Sequence, residues 1–476
     1  MKNKIFNIGF ITVAMLLFSC SKELDTKPFN NIDQENALKT SSDVEGLLVG
    51  SYADLGADDL YGGGAFVTAD LLADFNEIDW YGTFQGMTQI KNKAISVDNS
   101  FVEGTWTDAY KTINDVNNVL DALPVVTEAK RERVEGEAKF IRACVYFELV
   151  RLYAKAWNDG DPNVNPGVPI KLSPTKELTG AGDQIPRDKV AAVYAQVIKD
   201  LTEAEALLPE SNGFFATTYA ASGMLARVYL QQGNYADAGA AASRVIESGN
   251  YKLTQANIDG IIEEFLYTRA KAEDNTTEDI FAIQVTTTSG INNFQTFYSE
   301  NNRGEINITD AHLGLFEADD LRYNLINGDY YSTKFDNVYG NVHIIRLAEM
   351  YLIRAEANSR LNTSVGATPA ADINSIRNRA ALDTRCDAKL VSGVAQMVQE
   401  VAVEQRLALL LKPQRAVNFI AWLARHHAAQ ELNIGRWNFH VHHEVGPREA
   451  EQHQQIVFTE QSGVDVQLVT LVVKNG

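Results

Sequence analysis

Cysteine is scarce in this chain, with three in 476 residues. Cys20 stands at the end of an N-terminal apolar run, which leaves Cys144 and Cys386 for the body of the chain. Two cysteines in a chain this long do not make a disulfide framework. Cys144 falls on the apolar side of a helical pattern and is expected to be buried packing. Basic residues are also short, 42 Lys and Arg against 62 Asp and Glu, for a formal net charge of −20. That balance excludes the electrostatic footprint needed for nucleic acid or anionic lipid. No segment after the N-terminus combines the length and apolarity of a membrane-spanning helix. What is present, 45% hydrophobic and 22% charged residues, fits a folded globular chain. Its length suits two or three ordinary domains or one large helical one.

The N-terminus is a targeting segment. Lys2 and Lys4 precede a mostly apolar run from Ile5 to Phe18, which is too short to span a bilayer comfortably. The run ends in Leu17-Phe18-Ser19-Cys20, which resembles a bacterial lipobox, with Cys20 as the lipidated residue. An ordinary signal peptide that happens to contain a Cys is the alternative. We expect residues 1–19 to be removed, residues 20–36 to form a polar tether, and acyl chains to be the only membrane attachment.

The body is read as helical. Residues 41–55 have helical spacing, with Ser41 or Ser42 as N-cap and Glu45 after it. Helices are expected at 105–123, stopping at Pro124, at 128–157, and at 190–208 with Asp188 as N-cap. Asp159, Asp161 and Asn163 faintly resemble a calcium loop, but the required Gly is missing and a helix-ending turn is the better reading. Residues 220–232 and 235–248, joined by Gly233-Asn234, carry Leu225, Ala226, Tyr229, Tyr235, Ala238 and Ala242 at the small and large positions of a tetratricopeptide hairpin. Residues 138–157 with 188–208, and 343–361 with 369–381, have the same form with longer insertions. In 343–361, Ile344, Leu347, Ala348, Tyr351, Leu352 and Ala355 form one apolar face; Arg346, Glu349, Arg354, Glu356 and Arg360 lie mostly off it. A solenoid needs about three stacked units, and three or four can be counted. The expected fold is mainly α, with tetratricopeptide-like hairpins forming an α-α superhelix. An irregular insertion domain with short strands, one at 281–287, comes from residues 56–100 and 251–342.

The chain resembles the RagB/SusD family of Bacteroidetes outer-membrane lipoproteins. The resemblance rests on the lipobox, then Phe140-Ile141-Arg142-Ala143 and Tyr146-Phe147-Glu148-Leu149-Val150-Arg151-Leu152-Tyr153, then Gly167-Val168-Pro169-Ile170. Arg346 to Ala357 and Ile373-Asn374-Ser375-Ile376-Arg377-Asn378-Arg379-Ala380 complete the ordered set, which covers about residues 1 to 409. The acidic residues just after Cys20 also resemble surface-export signals of such lipoproteins. The resemblance implies four tetratricopeptide-like units and a surface-exposed, lipid-anchored binding protein in the outer membrane. It implies an oligosaccharide or polysaccharide ligand, a SusC-like TonB-dependent transporter as partner, no cofactor and no enzymatic activity. A lipid-anchored tetratricopeptide scaffold that binds peptide or protein is the alternative.

Sugars stack on exposed aromatic rings and hydrogen-bond through their hydroxyls. Trp80 and Tyr81, beside Asp79 in a Gly- and acid-rich loop, are the expected ligand platform. Tyr298 and Tyr323 are further candidates. The alternative for Trp80 is that it plugs the core beneath the loop. A glycosidase would need two carboxylates from Asp70, Asp74, Glu77 and Asp79, but acidic surface loops are far commoner and we expect no catalysis. His426, His427, His440, His442 and His443 form a cluster without cysteine, and we expect no metal there.

The C-terminal segment, residues 410–476, departs from the resemblance. Val403 to Leu409 begins a helix that Leu410-Leu411-Lys412-Pro413 interrupts. No Tyr follows Tyr351, and Asp465 is alone after Asp387. This change is what a frameshift near codon 409 would produce.

Overall fold

The computed structural model describes residues 37–73, 76–175, 185–257, 262–265, 275–288, 290 and 292–382, and the backbone of three later strands. The expected signal peptide, the expected tether with Cys20, Asp74 and the His-rich cluster's side chains lie outside the described residues. The chain divides into two compact units, Met1–Gln414 and Arg415–Gly476. The second is described only as β5 (Trp437–His442), β6 (His453–Glu460) and β7 (Val469–Lys474), an antiparallel sheet in that order with Trp437 opposite Glu460 and His453 opposite Lys474.

The first unit is mainly helical. Its elements are α1 (Ser41–Leu55), α2 (Gly64–Ala73), β1 (Ile78–Trp80), α3 (Gln85–Lys91), α4 (Ser100–Asp121), α5 (Glu128–Tyr153), α6 (Val190–Leu207), α7 (Thr218–Gln232) and α8 (Tyr235–Glu247). There follow β2 (Asp279–Ile283), α9 (Asn293–Tyr298), β3 (Ile306–Ile308), α10 (Asp310–Leu313), β4 (Val342–Arg346), α11 (Leu347–Leu361) and α12 (Pro369–Arg379). The helices pack as a continuous series, α4 on α5, α5 on α6, α6 on α7, α7 on α8, α8 on α11 and α11 on α12. The expected hairpins are therefore present, and α11 docks on α8 across the 251–342 insertion as if nothing intervened.

Local chemistry accounts for the helix ends. Thr40 caps α1 in a capping box with Asp43, its backbone N–H donating to Asp43 Oδ2 at 2.8 Å. Ser41 and Glu45 are not the box; Glu45 instead accepts from Lys130 and Arg133 of α5, each at 2.9 Å. Thr217 caps α7, Gly233 ends it in the left-handed region at φ 74°, and Asn234 caps α8. Asp161 caps its own turn through the Asn163 N–H, the helix-ending reading of that segment.

Three expectations are corrected. Residues 343–346 are strand, not the first turn of α11; β4 pairs antiparallel with β2, Ala282 opposite His343. Asp188 does not cap α6, because its carboxylate accepts from the Ile170 N–H at 2.8 Å; Lys189 is the cap residue. Residues 56–100 contain two helices, α2 and α3, and nearly all of α2 is buried. A helix without a polar face shows no amphipathic period, which is why the pattern concealed it.

The core runs through α5, where Phe140, Ile141, Cys144 and Phe147 are fully buried. Burial pushes the Cys144 thiol well above its ordinary range. Buried arginines join the helices. Arg142 of α5 meets both oxygens of Asp200 of α6 at 2.8 Å and also donates to Asn117 of α4. Arg354 of α11 grips Asp372 of α12 in the same two-pronged way, at 2.9 and 2.7 Å. Spacing alone placed Arg354 and Glu349 mostly off the apolar face of 343–361, yet both are buried.

Asp59 sits where Gly104 of α4 leaves room; a Cβ there would lie 2.0 Å from the Asp59 carboxylate. Burial, with Asp58 and Asp108 nearby, raises its pKa to about 6.

Two predictions arise from this packing. Asp200→Ala leaves the Arg142 guanidinium buried without its carboxylate and lowers unfolding stability by about 3–5 kcal/mol in urea titrations; a loss under about 1 kcal/mol contradicts the clamp. For Asp59, a folded-state pKa above the unfolded value means that its share of stability is present in acid and lost as pH rises through about 6. Asp59→Asn removes that loss and stabilises the protein at pH 7.5 by about 1–2 kcal/mol, allowing for its partial exposure. An unchanged slope of stability between pH 4 and 7 refutes the assignment.

Candidate functional site

The two insertions are joined by a short ribbon. β1 from the first pairs antiparallel with β3 from the second, Ile78 opposite Ile308, Asp79 opposite Asn307 and Trp80 opposite Ile306. Side chains alternate across a strand. Ile78, Ile306 and Ile308 are buried on one face, so Asp79 and Asn307 point to the other. The Tyr81 N–H extends the ladder to the Glu305 carbonyl at 2.8 Å.

A second loop closes on this ribbon. The Ile308 N–H donates to the Tyr330 carbonyl at 2.8 Å, and Asn307 Nδ2 donates to the Asp329 carbonyl at 3.1 Å. Asn327 folds the loop by accepting from the N–H groups of Asp329 and Tyr331 at 3.0 and 2.9 Å. Tyr330 takes a left-handed conformation at φ 69°, uncommon outside glycine. Between ribbon and loop lies an open cleft of about 910 Å³, lined by Asp79, Tyr81, Asn307, Asp310, Tyr330 and Tyr331 among others. That volume is in the range of ligand pockets.

Tyr81 donates to Asp79 Oδ2 at 3.3 Å, and the Asp79 charge raises the phenol's pKa. The Tyr330 hydroxyl is raised by its hydrogen bond to Asp310 and by that carboxylate's charge. Both phenols therefore stay protonated at neutral pH. Tyr81 is 68% exposed, so its ring is available to a ligand.

The structure brings Asp79 and Tyr81 together in this cleft and separates the other expected platform residues. Trp80 alternates to the opposite side of β1. Its Nε1 donates to Thr88 Oγ1 at 3.0 Å and its ring lies 5.9 Å from that of Phe297, so it packs beneath the loop. Tyr298 is fully buried, its hydroxyl 2.9 Å from Asp70 Oδ2 and its ring 5.8 Å from Phe335. A ring with no exposed face cannot stack on a sugar, and Tyr298 is withdrawn as a ligand residue. The spacing of Phe294, Phe297 and Tyr298 on one face of α9 marks it as core. Tyr323 is 49% exposed, edge-on to Phe316, and outside the cleft lining.

The acidic set considered for glycoside hydrolysis is dispersed. Asp70 is buried against Tyr298, Glu77 lies 2.9 Å from His312 Nδ1, and Asp79 alone of the three lines the cleft. Tyr330, Tyr331, Asp310 and Asp329 were not singled out. Their signal was Asn327-Gly328-Asp329 followed directly by two tyrosines, a turn that presents adjacent rings.

Among the described residues, two groups of side chains could reach one metal ion, Asp58 with Asp59 and Asp108, and Glu264 with Asp279 and His343. In the second, His343 Nδ1 hydrogen-bonds Asp279 Oδ1 at 2.6 Å and lies 3.4 Å from Glu264 Oε1.

Comparison with known proteins agrees with this architecture. A SusD-like family model, described as starch-binding and associating with the outer membrane, matches residues 24–230. The SusD family model matches residues 320–464, past the change in composition at residue 410. SusD-like protein P2 of Formosa agariphila is 29% identical over 236 residues, 49% of this chain and 44% of that protein. The chain thus spans about half the length of the curated relatives it matches. Among solved structures, a SusD superfamily protein from Bacteroides fragilis has a TM-score of 0.68 at 23% identity, covering 87% of this chain and 93% of that one. A SusD-like carbohydrate binding protein from Bacteroides vulgatus has a TM-score of 0.66 at 23% identity, covering 91% and 89%. No helix among the described residues is long and apolar enough to cross a membrane. With its two family-model matches in order along one helical fold, the chain belongs to the SusD/RagB family.

Proposed function

We propose that this chain is a cell-surface lipoprotein that captures oligosaccharide in the β1–β3 cleft and delivers it to a TonB-dependent outer-membrane transporter. The observation that carries the reading is the cleft itself. Tyr81, Tyr330 and Tyr331 surround a floor of carboxylate and amide groups. Rings of this kind cover the apolar faces of sugars, while polar groups take the hydroxyls. The family's starch-binding, outer-membrane description supports the ligand class and location. Cys20, outside the described residues, is the proposed acylation site, and acyl chains would hold the protein at the membrane. The dispersal of Asp70, Glu77 and Asp79 supports binding without hydrolysis.

Two substitutions separate this cleft from the loop packing behind it. Tyr81→Ala weakens saccharide binding about tenfold with little change in melting temperature. Trp80→Ala lowers stability by about 2 kcal/mol, less than for a fully buried tryptophan, through the lost contact with Phe297. Calorimetric titration with a bound glycan and thermal melts of both variants decide the matter; the reverse pattern returns the platform to Trp80. Mild-detergent purification of the lipidated protein from outer membranes is expected to retain a stoichiometric TonB-dependent transporter. An abundant, folded protein recovered alone favours the peptide-binding scaffold instead.

A further inference from the structure

The polar groups of the cleft are unevenly divided between donors and acceptors. Asp79, Glu300, Asp310 and Asp329 all line it, and among the described residues no Lys, Arg or His does. Three of these carboxylates meet neutral donors. Tyr81 donates to Asp79, Asn327 Nδ2 donates to Glu300 Oε2 at 2.6 Å, and Tyr330 bonds Asp310. Several of the cleft's own donors are turned toward the protein. Besides the two phenols, Asn307 Nδ2 bonds the Asp329 carbonyl and Thr309 Oγ1 bonds the Asn76 carbonyl. A ligand entering here meets lone pairs and negative charge. It must itself supply the hydrogen-bond donors.

Resting on the saccharide reading above, we propose that the cleft selects by charge. It takes oligosaccharides that are uncharged or carry free amines, and it rejects those carrying uronate or sulfate groups. Sugar hydroxyls and ammonium groups donate to carboxylates, and charge assistance strengthens those bonds. A uronate or sulfate is an acceptor only. It finds no cation in the cleft lining to pair with and lies among carboxylates of its own sign. The tyrosine rings do not discriminate between these classes, because stacking needs only the apolar face of the sugar ring. Selection therefore lies with the carboxylates, and affinity with the rings.

The test uses the full chain on an immobilised glycan array with EDTA present, so that no divalent cation bridges like charges. The array carries neutral, amine-bearing, uronate-containing and sulfated oligosaccharides of matched length. The wild type is compared with D79N/D310N/D329N, which preserves shape and removes three of the four lining charges. Signal is expected on neutral or amine-bearing glycans, with acidic ones weaker by about tenfold or more at low salt. The triple variant is expected to narrow that gap, and added salt to narrow it for the wild type. Strongest binding to uronate or sulfated glycans overturns the charge selection and leaves the saccharide reading standing. An unchanged preference in the triple variant also overturns it. No binding to any saccharide, by a protein that melts cooperatively, overturns both readings.

Discussion

Arg227 of α7 holds the long insertion closed. Its guanidinium meets Glu349 of α11 at 2.8 and 2.7 Å and the carbonyl of Ile344 in β4 at 2.6 Å, all buried. The two ends of this contact are 122 residues apart in sequence. Closing so long a loop costs chain entropy that grows only slowly with length, and a two-pronged charged contact fixes register as well as distance. Once α11 is docked on α7 and α8, β4 must lie beside β2, and the insertion leaves and re-enters the helical stack at one place.

Similar contacts recur through the stack. Arg142 with Asp200 and Arg354 with Asp372 join successive helices, while Glu278 accepts from both Arg346 and Arg379. Buried ion pairs are weak sources of net stability, because desolvation opposes the attraction. Their effect here is to make alternative helix registers costly, since a slipped helix would strand a charge in the core. Small residues allow the close approach that these clamps need. A side chain at Gly223 of α7 would come within 2.9 Å of Ile345.

The β1–β3 cleft is a consequence of the same frame. Helices α4 to α8 bring residues 78–80 of the first insertion near residues 306–308 of the second. Three residue pairs then zip the two together. Both strands are too short to be stable alone in water. Their pairing holds because Ile78, Ile306 and Ile308 are buried against the helical body. The outward side of that ribbon is the cleft floor, so core packing and the cleft are two faces of one element.

The sequence by itself determined the helical class, the hairpin at 220–248, the buried Cys144 and the ordered set of motifs. Each of these depends on short-range spacing, which a period of three to four residues records directly. It also put Asp79 and Tyr81 together in one loop, and the structure places both at the cleft. It could not choose between Trp80 and Tyr81, because alternation along a strand is visible only once β3 supplies a partner. It could not find Tyr330, Tyr331 and Asp310 as neighbours of Tyr81, since they come from a different insertion. Tertiary structure alone decided which arginines were buried clamps and which tyrosines faced solvent. Burial of those groups is set by contacts between distant segments, and no local pattern encodes a partner more than a hundred residues away.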